Sequence, residues 1–74
     1  MFIYKLELEL KKDRLVFWIV LMAESEERAR KIAASTHEFK NPKKWLEDDA
    51  YCKMLGTATE GFSEGIILKH YTTL

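Results

Sequence analysis

The chain has little of what locks a small fold covalently or bends it sharply: one cysteine, one proline and three glycines in 74 residues. A lone thiol, Cys52, closes no internal disulfide, and no second cysteine or nearby histidine offers a zinc spacing. Net charge is also missing. Twelve basic and twelve acidic residues cancel, so no global field draws the protein to nucleic acid or to an anionic membrane. The longest apolar run, Leu15 to Ala23, has nine residues, about half of what spans a bilayer. The N-terminus lacks the basic-then-apolar layout of a signal peptide. These absences set the expectation of a soluble, cytoplasmic protein with no cofactor, no metal and no membrane association.

What is present is apolar surface. A hydrophobic fraction of 47% suffices to offset ordering entropy, so disorder is excluded as an expectation. Residues 1–74 make one domain, of a size at which only about 60% of the unfolded chain's surface is buried. Shielding supplied by a partner or a second copy therefore counts for much.

From Phe2 to Leu10 the residues alternate strictly, with Phe2, Tyr4, Leu6, Leu8 and Leu10 on one face and Ile3, Lys5, Glu7 and Glu9 on the other. That period is a strand with one wet face. Lys11, Lys12, Asp13 and Arg14 then separate it from the apolar run, which suits a tight hairpin although no glycine supplies the preferred turn. Closing the turn on Lys12 and Asp13 sets Leu10 opposite Leu15, Leu8 opposite Phe17, Leu6 opposite Ile19 and Tyr4 opposite Leu21, so two apolar sets share a face. On the reverse side the same register places Glu9 beside Val16, Glu7 beside Trp18, Lys5 beside Val20 and Ile3 beside Met22, a mixed face.

After Ala23 the spacing predicts a helix capped by Ser25, with acids in its first turn and bases later, as the helix dipole favours. Its apolar stripe is narrow, formed by Ala29, Ile32 and Ala33, so it covers only one side of a sheet. Residues 35–40 read as a loop with Phe39 tucked inward. Asn41 and Pro42 open a short helical turn over 43–49 that carries Trp45 and Leu46. Residues 51–58 and 66–72 read as two further strands around a loop that holds Gly61, Phe62 and Gly65. The expected fold is α+β: an antiparallel sheet of about four strands with one main helix on one face, in the order ββα, short helix, ββ.

Chemistry-bearing constellations are scarce. His37 and His70 stand far apart in sequence and have no second ligand at strand or helix spacing. Cys52 has no adjacent cation or helix start to lower its pKa, and Ser25 has no base to activate it. Glu7 and Glu9, about 7 Å apart along a strand, read as ordinary solvation of an outward face and not as an acid-base pair. No catalytic residue is assigned, and the expectation is a protein that is not an enzyme.

Two surfaces remain. One is the mixed face, with Val16, Trp18 and Val20 beside Glu7 and Glu9, a candidate protein-binding site because tryptophan-centred strips are seldom left free. The competing expectation is that Trp45 and Leu46, or Phe39, fold over that face and complete a second small core. The other surface is the basic segment: residues 28–44 hold six bases, Arg28, Arg30, Lys31, Lys40, Lys43 and Lys44, and one acid, Glu38. With Trp45 adjacent, it forms the alternative, a nucleic-acid-binding module that uses phosphate contacts and stacking. The acids of the following stretch, Glu47, Asp48, Asp49, Glu60 and Glu64, oppose that reading or offer a negative patch to a basic partner.

One resemblance is carried by the succession of a strand, then Ala23-Glu24-Ser25-Glu26-Glu27-Arg28-Ala29-Arg30, an aromatic loop with Trp45, then Leu55-Gly56-Thr57-Ala58 and Glu64-Gly65-Ile66-Ile67-Leu68. This arrangement resembles small uncharacterised proteins encoded by bacteriophages and prophages, over most of the chain and through structural motifs. The resemblance implies a protein that binds and blocks a host enzyme or defence complex, CRISPR effectors included, and it assigns no functional residue. With the apolar surplus of the second strand, the expectation is a protein-binding inhibitor of a host protein or complex that also self-associates through its sheet as a homodimer.

Overall fold

The structure, a computed structural model, describes residues 1–10, 14–35, 43–46, 50–59 and 61–73. The elements are β1 (Phe2–Leu10), β2 (Leu15–Ala23), α1 (Glu26–Ala34), α2 (Lys43–Leu46), β3 (Ala50–Thr57) and β4 (Gly65–Thr73). All four strands join one antiparallel sheet in the order β3-β1-β2-β4.

The β1-β2 hairpin takes the register that apolar alternation predicts, from Leu10 opposite Leu15 through Leu6 opposite Ile19 to Phe2 opposite Ala23. Slipping by one residue would send Leu6 and Leu8 to the other face, which is why the pattern specifies the pairing. The turn expected on Lys12 and Asp13 lies outside the described residues; Arg14, which leads into β2, has φ of 54° in the left-handed region. The hairpin occupies the sheet centre because its second strand is apolar on both sides, and a central strand keeps its backbone paired along both edges.

Both outer strands break step once. Between Ile3 and Tyr4 the β1-β3 register shifts, leaving Leu55 as the extra residue, and between Val20 and Leu21 the β2-β4 register shifts at Ile67. Edge bulges of this kind twist the strand and re-aim its side chains. The consequence is a change of face: Ile66 lies opposite Leu21 on one side, and Leu68 lies opposite Val20 on the other.

One face carries the core. Tyr4, Leu6, Leu8, Ile19, Leu21 and Ala23 from the central strands pack with Ala29 and Ala33 of α1, Trp45 of α2 and Ala50 of β3. The small residues of α1 let the helix lie close on the sheet, and Trp45, with 1% of its surface exposed, fills the space beyond them. Burying side chains of the size of Leu6, Leu8 and Leu21 contributes about 1.5–3 kcal/mol each. Ser25 caps α1 as its position predicts, its Oγ accepting the Arg28 N–H at 3.2 Å.

Arg30 ties the helical layer together. Its Nη1 donates to the carbonyls of Trp45 (3.3 Å) and Ala50 (2.8 Å), and its Nε donates to Glu26 at 3.3 Å. One guanidinium thus joins α1, the end of α2 and the start of β3. Ala58 and Glu64, which flank the edge strands, each bond to the hairpin or to α1. Ala58 N–H donates to the Met1 carbonyl at 2.9 Å, and Glu64 accepts from the Glu24 N–H and from Arg28, both at 3.0 Å.

Candidate protein-binding face

Both helices contribute to the core on the Leu6 side of the sheet, so among the described residues no helix lies over the opposite face. Trp45 goes to the helix-side core and Leu46 is about half exposed; neither folds over the Trp18 face. Phe39, the other residue expected to cover it, lies outside the described residues, as do His37, Asn41, Pro42 and the acids Glu47, Asp48, Asp49 and Glu60.

The strand registers set the open face out in rows that run across the sheet. Tyr51, Glu7, Trp18 and His70 stand side by side, and one step along lie Lys53, Lys5, Val20 and Leu68. Beyond these rows, Ile3 pairs with Met22 at one end and Glu9 with Val16 at the other. All five residues singled out from the sequence, Val16, Trp18, Val20, Glu7 and Glu9, therefore share this face. Val16 is buried, with 8% of its surface exposed, whereas Trp18 and Val20 are half-buried. The apolar strip is thus narrower at the Val16 end than alternation predicts. It is wider on the β4 side, where the Ile67 bulge adds Leu68, 61% exposed.

Trp18 is held in place by its neighbours. The Lys5 ammonium sits 5.0 Å from the indole centroid, a cation-π contact worth about 0.5–1 kcal/mol where it is solvated. The His70 ring lies 5.8 Å away at a 43° tilt. The indole Nε1 is buried and has no hydrogen-bond partner among the described residues, so the part of the ring that faces outward is hydrocarbon. Glu7, Glu9 and Lys53 make no ion pair with any described residue. Chemically, the face offers a rigid aromatic anchor, the residue type that dominates interface energies, flanked by acids and bases that make no ion pair among the described residues.

The two later strands form as expected, but sequence reasoning did not place them at the sheet edges. Tyr51, Met54 and Leu55 on β3, and Ile66, Ile67, Leu68 and Tyr71 on β4, all expose large apolar side chains. Their apolar character was visible, but not their position at the sheet edges, because strand order is not written in local periodicity.

Of the basic segment, the described arginines and Lys31 are each engaged in contacts of the helical layer. Arg28 is paired with Glu64 at 3.0 Å, Arg30 is committed to Glu26 and two carbonyls with its side chain 13% exposed, and Lys31 pairs with Glu27 at 3.3 Å. Trp45 is inside the core and presents no stacking face. Lys44 is half-buried; Lys40 and the Lys43 side chain lie outside the described residues. The bond to Arg28, reinforced by the Glu24 N–H, holds the Glu64 carboxyl below the usual glutamate range and raises the Arg28 guanidinium. Burial pushes the Cys52 thiol up, and nearby Glu26 adds to that, so the thiol stays protonated near neutral pH. Among the described residues no group of three or more histidine, cysteine, aspartate or glutamate side chains is placed to hold a metal ion, and no described helix is long and apolar enough to cross a membrane.

Comparison with protein-family models, with curated proteins and with solved structures returned no match to this chain.

Proposed function

We propose that this chain is a non-catalytic protein-binding module whose contact surface is the open sheet face centred on Trp18, with Val16, Val20, Glu7 and Glu9 around it. The observation that carries the reading is that both helices pack on the Leu6 side and leave Trp18 facing outward. A single-layer cover on a four-stranded sheet leaves the second face to a partner. The class of target follows from the resemblance to phage-encoded proteins: a host protein or defence complex, such as a CRISPR effector, which this protein blocks by occupying a functional surface.

The test compares capture of host proteins by the wild-type chain, by Trp18→Ala and by Lys31→Ala, a change on the exposed helix face. A target retained by wild type and Lys31→Ala but lost by Trp18→Ala supports the assignment. A Trp18→Ala protein that stays folded and keeps its target with undiminished affinity rejects it.

A further inference from the structure

The two central rows of the open face carry their charges in an order that a two-fold axis converts into complementarity, with Glu9 falling at the rim over Ile3. Lys5 and Lys53 are paired across β1 and β3 in one row, and Glu7 and Trp18 stand together in the next. Successive same-face residues on a strand lie about 7 Å apart. Lys5 contacts the Trp18 ring instead of a carboxylate, and Glu7 has no ion-pair partner among the described residues.

From this we propose that the open face pairs with the same face of a second copy, about a two-fold axis that crosses the strands between the Lys5 row and the Glu7 row. The proposal rests on the reading that this face is a protein-contact surface and names the occupant. Rotation about such an axis leaves the lateral order of strands unchanged and exchanges the two rows. Lys5 of each copy then stands over Glu7 of the other, Val20 over Trp18, and Lys53 over Tyr51, a further cation on an aromatic ring. Aligned sheets pack about 10 Å apart with a rotation near 30°, a gap that a lysine and a glutamate bridge from opposite sides. The same rotation displaces the central strands β1 and β2 least, where the charge pair and Trp18 lie.

A foreign surface would need to carry the matching acid row and base row independently. A second copy has both by symmetry, which is the isologous arrangement of most homodimers. The footprint, four strands by about three same-face steps, is roughly 20 by 20 Å, a flat area of about 400 Å² on each copy. That is below the usual 800 Å² per partner, so the dimer is weak and exchanging, and a host target that uses the same face competes with it.

Sedimentation equilibrium from low micromolar to near-millimolar concentration reads the outcome, with circular dichroism to verify folding. Wild type is expected to dimerise. Lys5→Glu and Glu7→Lys each place like charges in register twice and are expected to weaken association about tenfold or more, whereas the double variant restores opposite charges and recovers most of the loss. Should a single variant fail to fold, salt provides the second measurement: raising it from about 0.05 M to about 0.5 M weakens a wild-type dimer held by these pairs.

A wild-type chain that stays monomeric at near-millimolar concentration overturns the proposal. So does a salt-insensitive dimer that both single variants retain, as pairing through the apolar β4 edge would give, or a folded double variant with no recovery. Each of these leaves the host-target reading to the Trp18→Ala capture experiment, whose readout does not depend on self-association.

Discussion

The two tryptophans make opposite structural claims, and replacing each by alanine separates them. Trp45 has 1% of its surface exposed and packs with Tyr4, Leu6, Leu8, Ala29, Ala33 and Ala50 in the helix-side core. Truncating a buried aromatic of this size costs about 3–5 kcal/mol, because transfer energy and residual cavity add. Total stability for a chain of this length is about 4–11 kcal/mol, so Trp45→Ala removes about a quarter of it at least and brings a marginal domain close to its unfolding midpoint at room temperature. Trp18 lies half-buried on the open face with a cation-π contact to Lys5 and a ring contact to His70. Losing those contacts costs about 1–2 kcal/mol. Urea denaturation followed by circular dichroism measures both. With a denaturant slope near 1 kcal/mol per molar for so small a protein, the Trp45→Ala midpoint falls by about 3–5 M or the variant is unfolded from the start, whereas Trp18→Ala moves by about 1–2 M. Equal shifts for the two variants, or a Trp45→Ala shift below about 1 M, would refute the assignment of Trp45 to the core and with it the claim that the helical layer lies on one side only.

Two further outcomes follow from the polar contacts that hold the layers together. Arg30→Ala leaves the Trp45 and Ala50 carbonyls without their guanidinium donor, and hydrogen bonds to charged groups contribute about 1.5–3 kcal/mol each; a loss of at least about 2 kcal/mol by thermal unfolding is expected, and a change within 0.5 kcal/mol, typical of an exposed surface arginine, would show that the residue is not a tie. For Glu64 the folded-state carboxyl is held below its unfolded value by Arg28 and the Glu24 N–H, so its contribution is present above the ordinary glutamate range and disappears as pH falls through the depressed folded value. Glu64→Gln is therefore less stable than wild type at neutral pH, with the two converging as pH falls through and below that range; a stability difference that is flat with pH would contradict the Arg28 contact.

Much of this molecule can be read locally. Apolar alternation in β1 and the apolar surplus of β2 predict a hairpin in the register observed, since any one-residue slip exposes five large side chains. Ser25 and the acids behind it mark the start of α1, because capping and dipole effects act within one turn. The short helix bearing Trp45 and the two later strands were visible from composition and breakers. The candidate face was legible too, as the side of β2 that a helix with the Ala29 and Ala33 stripe cannot reach.

What local pattern left open was every choice between distant segments. Trp45 is equally apolar whether it covers the Trp18 face or the Leu6 face, and its entry into the helix-side core was settled by space left beside small alanines. The basic run of α1 reads as an anion surface until folding brings Glu64 and the Ala50 carbonyl to Arg28 and Arg30. The bulges at Leu55 and Ile67 have no sequence signature of their own, yet the second one turns Leu68 toward Val20.

By itself, then, the order of residues determined the elements, their polarity and the central pairing, because those depend on periods of two and 3.6 residues and on contacts close along the chain. Only the tertiary structure decided the β3-β1-β2-β4 order, the side taken by Trp45 and the arrival of Tyr51, Lys53, Leu68 and His70 beside the hairpin, because these depend on volume and charge meeting across segments far apart along the chain.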